Sequence, residues 1–329
     1  MRILHWNNTG NQGMNLSRAQ RALGHASDCA ITKETPFEFG ADVVLPWHRW
    51  NPARRLRTFL ALAGRYDVVH IHGLPFVALT LGAPVLRRRG TRLVVHGHGT
   101  DLTQVAHPAR AAELSGQAIS RTRRLLGVLA LRAARKHAHV FLVSSPNLLA
   151  YAPHAVWVRQ PLDLDYWKPL DGAPGGRMPD CVRIGHSPSR RLVKGTAAVA
   201  EAVDTLVAAG RRVELVLAEN LPHHAVKPLI GGTDIFVDQL RVGWYGNAAC
   251  EAMAMGKPVC AYIRPDLERH LDGCPVVNAD AETLADRLLR LADNPAERAE
   301  RGARGRAYVE RHHDARRIAA DLVEMYRGV

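Results

Sequence analysis

Short apolar runs of strand length alternate with longer stretches whose apolar residues recur every three or four positions, and the alternation holds across most of the 329-residue chain. Residues 2–6 read as a first strand. A loop of Gly and Asn follows (NNTGNQG, 7–13), then a helix over 14–23 that turns Leu16, Ala19 and Leu23 inward and closes at Gly24. Further strands are predicted at 28–32, 41–45, 67–71, 92–95, 139–144 and 156–158. Helices are predicted at 52–66, 75–88 and 108–137, the last broken at Gly116 and Gly127. The Gly- and Pro-rich segment 169–179 interrupts the series. Beyond it, strands at 182–185, 213–218, 234–237 and 258–263 alternate with helices at 196–209, 223–230 and up to 255, and closing helices cover 281–292, 295–311 and 314–326.

Alternation of this kind predicts α/β architecture, parallel sheets with helices on both faces and ligands bound beyond the carboxyl ends of the strands. The chain is about twice the length of a typical domain. Two domains are therefore expected, 1–168 and one beginning at 181, with 169–180 as the linker.

Composition narrows the class. Hydrophobic residues make up 47% of the chain, yet no apolar run approaches the ~20 residues a membrane helix needs. The opening MRILHWNNTG has no secretory pattern, so a cytoplasmic protein is expected. Cys29, Cys181, Cys250, Cys260 and Cys274 are odd in number and widely spaced, which fits buried apolar residues rather than disulfides or a zinc framework. The net charge of +13 calls for an anionic partner. Arg87–Arg89 and the run 121–136 (RTRRLLGVLALRAARK) carry the densest charge, with Leu125, Val128, Leu129 and Arg132 as a stripe between basic positions. The run reads as a packed helix with a solvated outer face. Peripheral contact with an anionic membrane, at an inner membrane surface, or with an anionic acceptor is the alternative. Specific nucleic-acid binding is not expected, because neither finger motifs nor interleaved aromatics accompany the arginines.

Several residues suit phosphate and sugar chemistry. Arg190, Arg191 and Lys194 lie in SPSRRLVKGT, between a strand and a helix. Cations at a helix start oppose the positive end of the helix dipole, an arrangement that makes sense around a diphosphate. The loop GWYGN, with Gly243, Tyr245, Gly246 and Asn247, offers backbone N–H groups at a helix start. Glu251 follows among small residues, where one carboxylate can accept from both hydroxyls of a ribose. In the first half, Gly10, Asn11, Gly13 and Asn15 belong to either a substrate loop or a tight turn. His72, His96 and His98 converge on one sheet edge, and Gly97 and Gly99 allow close approach to His98. No carboxylate or cysteine completes an obvious ligand set, so no metal is expected.

Together RILHWNNTG, YDVVHIHG, HGHGTD, RQPLDLDYWKP, SRRLVKGT and DIFVDQLRVGWYGNAACEAMAMGKPV resemble the retaining glycosyltransferases of family 4 (glycosyl transferases group 1). The resemblance implies a GT-B fold: two Rossmann-like β/α/β domains with a cleft between them, an acceptor-side N-terminal domain, a nucleotide-sugar domain over 181–312, and a C-terminal helix, 313–329, crossing back. It implies metal-independent transfer of a hexose from a UDP- or GDP-linked sugar, the co-substrate, to a small-molecule, glycan or lipid-linked hydroxyl, with retention. Arg190 or Arg191 and Lys194 would pair with the donor diphosphate and Glu251 with the ribose. His98 would lie close to the reacting sugar, with Asp101 ending its turn, and the loops holding Gly10, Asn11, Gly13, Asn15 and His72 would serve the acceptor. One departure stands out: the first of the family's two glutamates falls on Gly243. A nucleotide-sugar epimerase and a non-catalytic nucleotide-binding protein are the alternatives.

Overall fold

The structure is a computed structural model that describes residues 1–34, 36–45, 51–170 and 180–329. The linker expected at 169–180 falls largely on 171–179, outside the described residues. The chain forms two compact units, one of Met1–Pro161 with Ala315–Val329 and one of Leu162–Asp314.

The first unit runs β1 (Arg2–Trp6), α1 (Gln12–Ala22), β2 (Ala26–Ile31), β3 (Val43–Val44), α2 (Pro52–Ala63), β4 (Val68–His72), a wide turn at Ala78–Gly82 continuing into α3 (Ala83–Arg88), β5 (Arg92–Gly97), α4 (Thr100–Ala106), α5 (Pro108–Ser115), α6 (Arg121–His137), β6 (Val140–Val143) and β7 (Val156–Trp157). The second unit runs β8 (Val182–His186), α7 (Arg191–Lys194), α8 (Thr196–Ala208), β9 (Val213–Leu217), α9 (His223–Gly231), β10 (Ile235–Val237), α10 (Asn247–Ala254), β11 (Val259–Ala261), β12 (Val277–Asn278), α11 (Leu284–Asp293) and α12 (Pro295–His312). The chain then returns to the first unit as α13 (Ala315–Arg327), which buries Ile318, Leu322 and Tyr326 with Ile3, Leu16, Val68 and Val94.

Both sheets are parallel. The first has the order β3-β2-β1-β4-β5-β6-β7 and the second β12-β11-β10-β8-β9. In each, the chain adds strands on one side of its first strand and then crosses to the other. The crossing lies between β1 and β4 in the first unit and between β8 and β10 in the second. Such switch points open a crevice at the carboxyl ends of the strands, where these sheets hold ligands.

The helix expected over 108–137 is two helices, α5 and α6. The break falls at Gly116, whose φ of +71° suits glycine at a helix end. Gly127 does not break α6. A Cβ there would stand 2.5 Å from Val105 Cγ2, so this glycine is where α6 presses on α4. The contact sets the helix's rotation: Ala130, Leu131 and Ala134 are buried, while Leu125 is 59% exposed and Leu129 38%. Of the stripe read from the sequence, Leu125, Leu129 and Arg132 therefore face outward, and Val128 alone packs, partly buried, against the cluster of Leu102, Val105 and Leu131. Among the described residues no helix is long and apolar enough to cross a membrane.

Candidate functional site

At the switch point of the second unit, two loops from neighbouring strands meet on one carboxylate. Asp238 follows β10 and its side chain is fully buried. Lys194 Nζ, at the end of α7, donates to Asp238 Oδ1 at 2.6 Å, and the Gly246 backbone N–H, just before α10, donates to Oδ2 at 2.5 Å. A Cβ on Gly246 would lie 3.2 Å from both Lys194 Nζ and Asp238 Oδ2, so glycine permits this approach. His186, ending β8, holds the crossing. Its Nδ1 bonds the Val237 carbonyl at 2.8 Å and its Nε2 the Thr196 hydroxyl at 3.0 Å, and burial lowers its pKa. Gln239 also ties the loop by donating to the Trp244 carbonyl.

The other predicted residues of this unit surround that junction in different ways. Arg190 and Arg191 are exposed at the start of α7, and Arg191 pairs with Glu219 (Nε to Oε1, 2.8 Å). Asn247 opens α10, and Glu251, one turn on and largely buried, bonds His223 Nε2 at 2.9 Å. The Tyr245 side chain belongs to the interior: its hydroxyl bonds Tyr308 Oη at 3.0 Å and His313 Nε2 at 3.2 Å, and burial pushes its pKa well above the phenol range. Its backbone alone is left to the loop. Gly243 has φ +91°, and a Cβ there would meet the Arg264 stem at 2.7 and 2.9 Å. A side chain at 243 conflicts with both backbone and neighbour, a physical reason for the glycine where the resembling family has an acid.

The first unit's switch point carries the Gly/Asn loop and the histidines. Asn7 Nδ2 donates to the His72 carbonyl at 3.0 Å, bridging β1 and β4. Gly10 and Asn11 take positive φ, and Gly13 packs where a Cβ would meet Asn7 O at 2.7 Å. Asn15 Nδ2 donates to the Pro161 carbonyl at 2.9 Å, so this side chain is committed to holding the backbone.

His72, His96 and His98 are brought together, and with them His5 and His70, which lie outside the residues singled out from the sequence. The signal for them is period-two spacing: residues 70 and 72 share one face, and the ladder sets His5 beside His70 and His72 beside His96. His5 Nδ1 lies 3.0 Å from His72 Nε2, and His72 Nδ1 lies 2.9 Å from His98 Nε2. His70 joins Tyr326 Oη at 2.6 Å to His96 Nδ1 at 3.3 Å. Burial keeps the rings neutral, lowering His5 to about 4, His98 to about 3, and His70, His72 and His96 well below the ordinary imidazole range. Asp101, in the first turn of α4, accepts from the His98 backbone N–H at 3.0 Å, and burial raises its carboxyl to about 6.

Residues 193–324 match a family model described as glycosyl transferase-like. No curated protein matches the chain. Among solved structures it is similar to a sucrose-phosphate synthase from Thermosynechococcus elongatus, with TM-score 0.69 and 18% identity over 100% of this chain and 99% of that one. An α-glucosyltransferase in complex with UDP and a 13-mer DNA gives TM-score 0.66 and 11% identity over 99% of this chain and 100% of that one. The catalytic domain of starch synthase IV from Arabidopsis thaliana, bound to ADP and acarbose, gives 0.65 and 12% over 99% of each. With two parallel sheets of seven and five strands and these neighbours, the chain has the fold of the GT-B glycosyltransferases, two Rossmann-like β/α/β units.

Proposed function

We propose that the chain transfers a hexose from a nucleoside-diphosphate sugar to an acceptor hydroxyl, with retention at the anomeric carbon and no metal at the leaving group. This reading rests on the junction of Lys194, Asp238 and Gly246 at the β8/β10 switch point, which joins the two loops expected to hold a diphosphate. The glycosyl transferase-like match covers this junction, and two similar structures are complexes with UDP and with ADP.

Charge develops on the diphosphate as the glycosidic bond breaks. Lys194, already fixed by a buried carboxylate, is a preorganised cation for that charge, and preorganised charge is worth most where water is excluded. Arg190 and Arg191 add exposed positive charge at the same loop; the Arg191–Glu219 pair, open to solvent on the arginine side, holds weakly and yields readily to phosphate. Glu251 takes the ribose hydroxyls in exchange for His223. The departing phosphate oxygen takes the acceptor proton. Backbone groups of 243–247 take the place of the acid that Gly243 excludes.

The test is a panel of UDP-, GDP-, ADP- and dTDP-sugars with cell-extract acceptors in chelator. Diphosphate release and an α-anomeric product from an α-donor, read by NMR, are expected. Arg190→Gln and Glu251→Gln should each lower kcat/KM by about tenfold or more, on the order of 1.4 kcal/mol or more of transition-state binding. Near-normal turnover and donor affinity in both variants would remove the site assignment, and sugar inversion without acceptor would mark an epimerase.

A further inference from the structure

The five clustered histidines of the first unit, four of them buried and His98 partly so, are given no part in the transfer chemistry, and their hydrogen bonds do not close. With Gln20 Oε1 accepting from His5 Nε2 at 2.9 Å, the proton positions follow along the chain of rings. His5 Nδ1 accepts from His72 Nε2, and His72 Nδ1 accepts from His98 Nε2. His98 Nδ1 is then a bare lone pair. The atom is buried and has no partner among the described residues, and the same holds for Nε2 of His96, a fully buried residue. The two rings are adjacent, 4.2 Å between centroids. Both imidazole chains therefore stop one partner short at the same place, the carboxyl end of β5.

We propose that His72, His96 and His98 form a binding site for a first-row divalent cation of the zinc type. One nitrogen of each of the three lies within 4.8 Å of those of the other two. Bonds of about 2.0–2.1 Å need donors somewhat closer than that limit, a matter of small ring rotations. His72 Nδ1 presents a lone pair, and the ion takes the position of the proton that His72 Nδ1 shares with His98 Nε2. That proton moves to His98 Nδ1, the nitrogen without a partner, so the rings remain neutral and no proton is lost. His96 Nε2 supplies the third lone pair in the tautomer whose Nδ1 donates to His70 Nε2 while His70 Nδ1 donates to Tyr326 Oη.

The chemistry of the donors selects the ion. Three imidazoles with no thiolate or carboxylate in the set suit Zn²⁺, Co²⁺, Ni²⁺ or Cu²⁺, and disfavour the oxygen-seeking Mg²⁺ and Ca²⁺. His5 stands behind His72 as a hydrogen-bonded support, as partners of ligating histidines do. The residues assigned to the diphosphate belong to the second unit, and the ion is given no part at the leaving group. The site stands or falls independently of the transfer reaction.

The test uses the untagged full chain, stripped with chelator and titrated with CoCl₂, then with ZnCl₂ in competition. One Co²⁺ per chain, with visible d–d absorption of a histidine-ligated site displaced by Zn²⁺, is the expected result. His98→Asn and His96→Asn should each weaken uptake by about tenfold or more while circular dichroism stays native. Because His96 is fully buried, its variant is read only if it folds. Long-range ¹⁵N NMR of the wild-type imidazoles supplies the second measurement: Zn²⁺ should shift His72, His96 and His98. Absence of saturable Co²⁺ uptake, uptake unchanged in folded His98→Asn, or Zn²⁺ shifts confined to other histidines would each overturn the proposal.

Discussion

Replacing Asp238 with alanine removes a carboxylate that serves both loops of the candidate donor site. Lys194, whose side chain is 12% exposed, loses its partner, and the Gly246 N–H loses its acceptor. Breaking a buried pair by removing one member costs about 3–5 kcal/mol, because the remaining charge stays desolvated. An unsatisfied N–H alone costs about 1–3 kcal/mol, so Asp238→Ala should lose at least about 3 kcal/mol. Against a total stability of roughly 5–15 kcal/mol, that is a large fraction. Asp238→Asn keeps the shape and one acceptor and should lose less. The double variant Lys194→Met with Asp238→Leu leaves no orphan charge and should be more stable than Asp238→Ala. Urea unfolding followed by tryptophan fluorescence gives the differences, and hydrogen exchange over 238–254 reports whether the loss is local to the junction. A folded Asp238→Ala within about 1 kcal/mol of wild type, with unchanged protection of Gly246, would refute the reasoning; ΔG by linear extrapolation resolves the larger gap expected.

Acid should destabilise the first unit before its carboxylates are titrated. The depressed pKa of the clustered histidines means that their contribution is fully present above the unfolded value of about 6.5 and is lost as pH falls toward about 4 for His5 and about 3 for His98. At pH 5 each of these rings that stays neutral costs about 2 kcal/mol, whereas Asp101, raised to about 6, recovers only about 1 kcal/mol between pH 8 and 5. Urea midpoints measured in chelator at pH 7.5 and 5 should therefore fall, and a flat profile would count against neutral burial. Gly302→Ala would put a Cβ 2.1 Å from the Gly256 carbonyl oxygen, where α12 crosses the end of α10. A loss of about 1–3 kcal/mol in thermal unfolding is expected, and none would mean the helix can shift freely. Gly243→Glu, which restores the acid of the resembling family, should destabilise by about 1–2 kcal/mol through its left-handed backbone, with the Arg264 stem adding to the strain, and should fail to raise donor affinity. A stable variant with tighter donor binding in calorimetry would show that the loop accepts a carboxylate.

Periodicity along the chain was enough to determine the α/β class, the strand and helix order and the cationic loop at 190–194, because these depend on neighbours within a few residues. It did not determine which face of α6 is inward. Leu125 and Leu129 have the right spacing for a core stripe, yet the press of Val105 on Gly127 turns them to solvent. Tyr245 reads as part of a ligand loop, but partners 63 and 68 residues away, Tyr308 and His313, draw its ring inside. Asp238 is legible only as a polar residue after a strand; its pairing with Lys194, 44 residues earlier, depends on the crossing that places β10 beside β8. The histidines show the same division. The spacing at 70, 72, 96 and 98 can be read directly, while His5 joins them only because β1 lies beside β4. Strand order and register are long-range choices made by the packed sheet, and they decide which of the locally legible residues share a site.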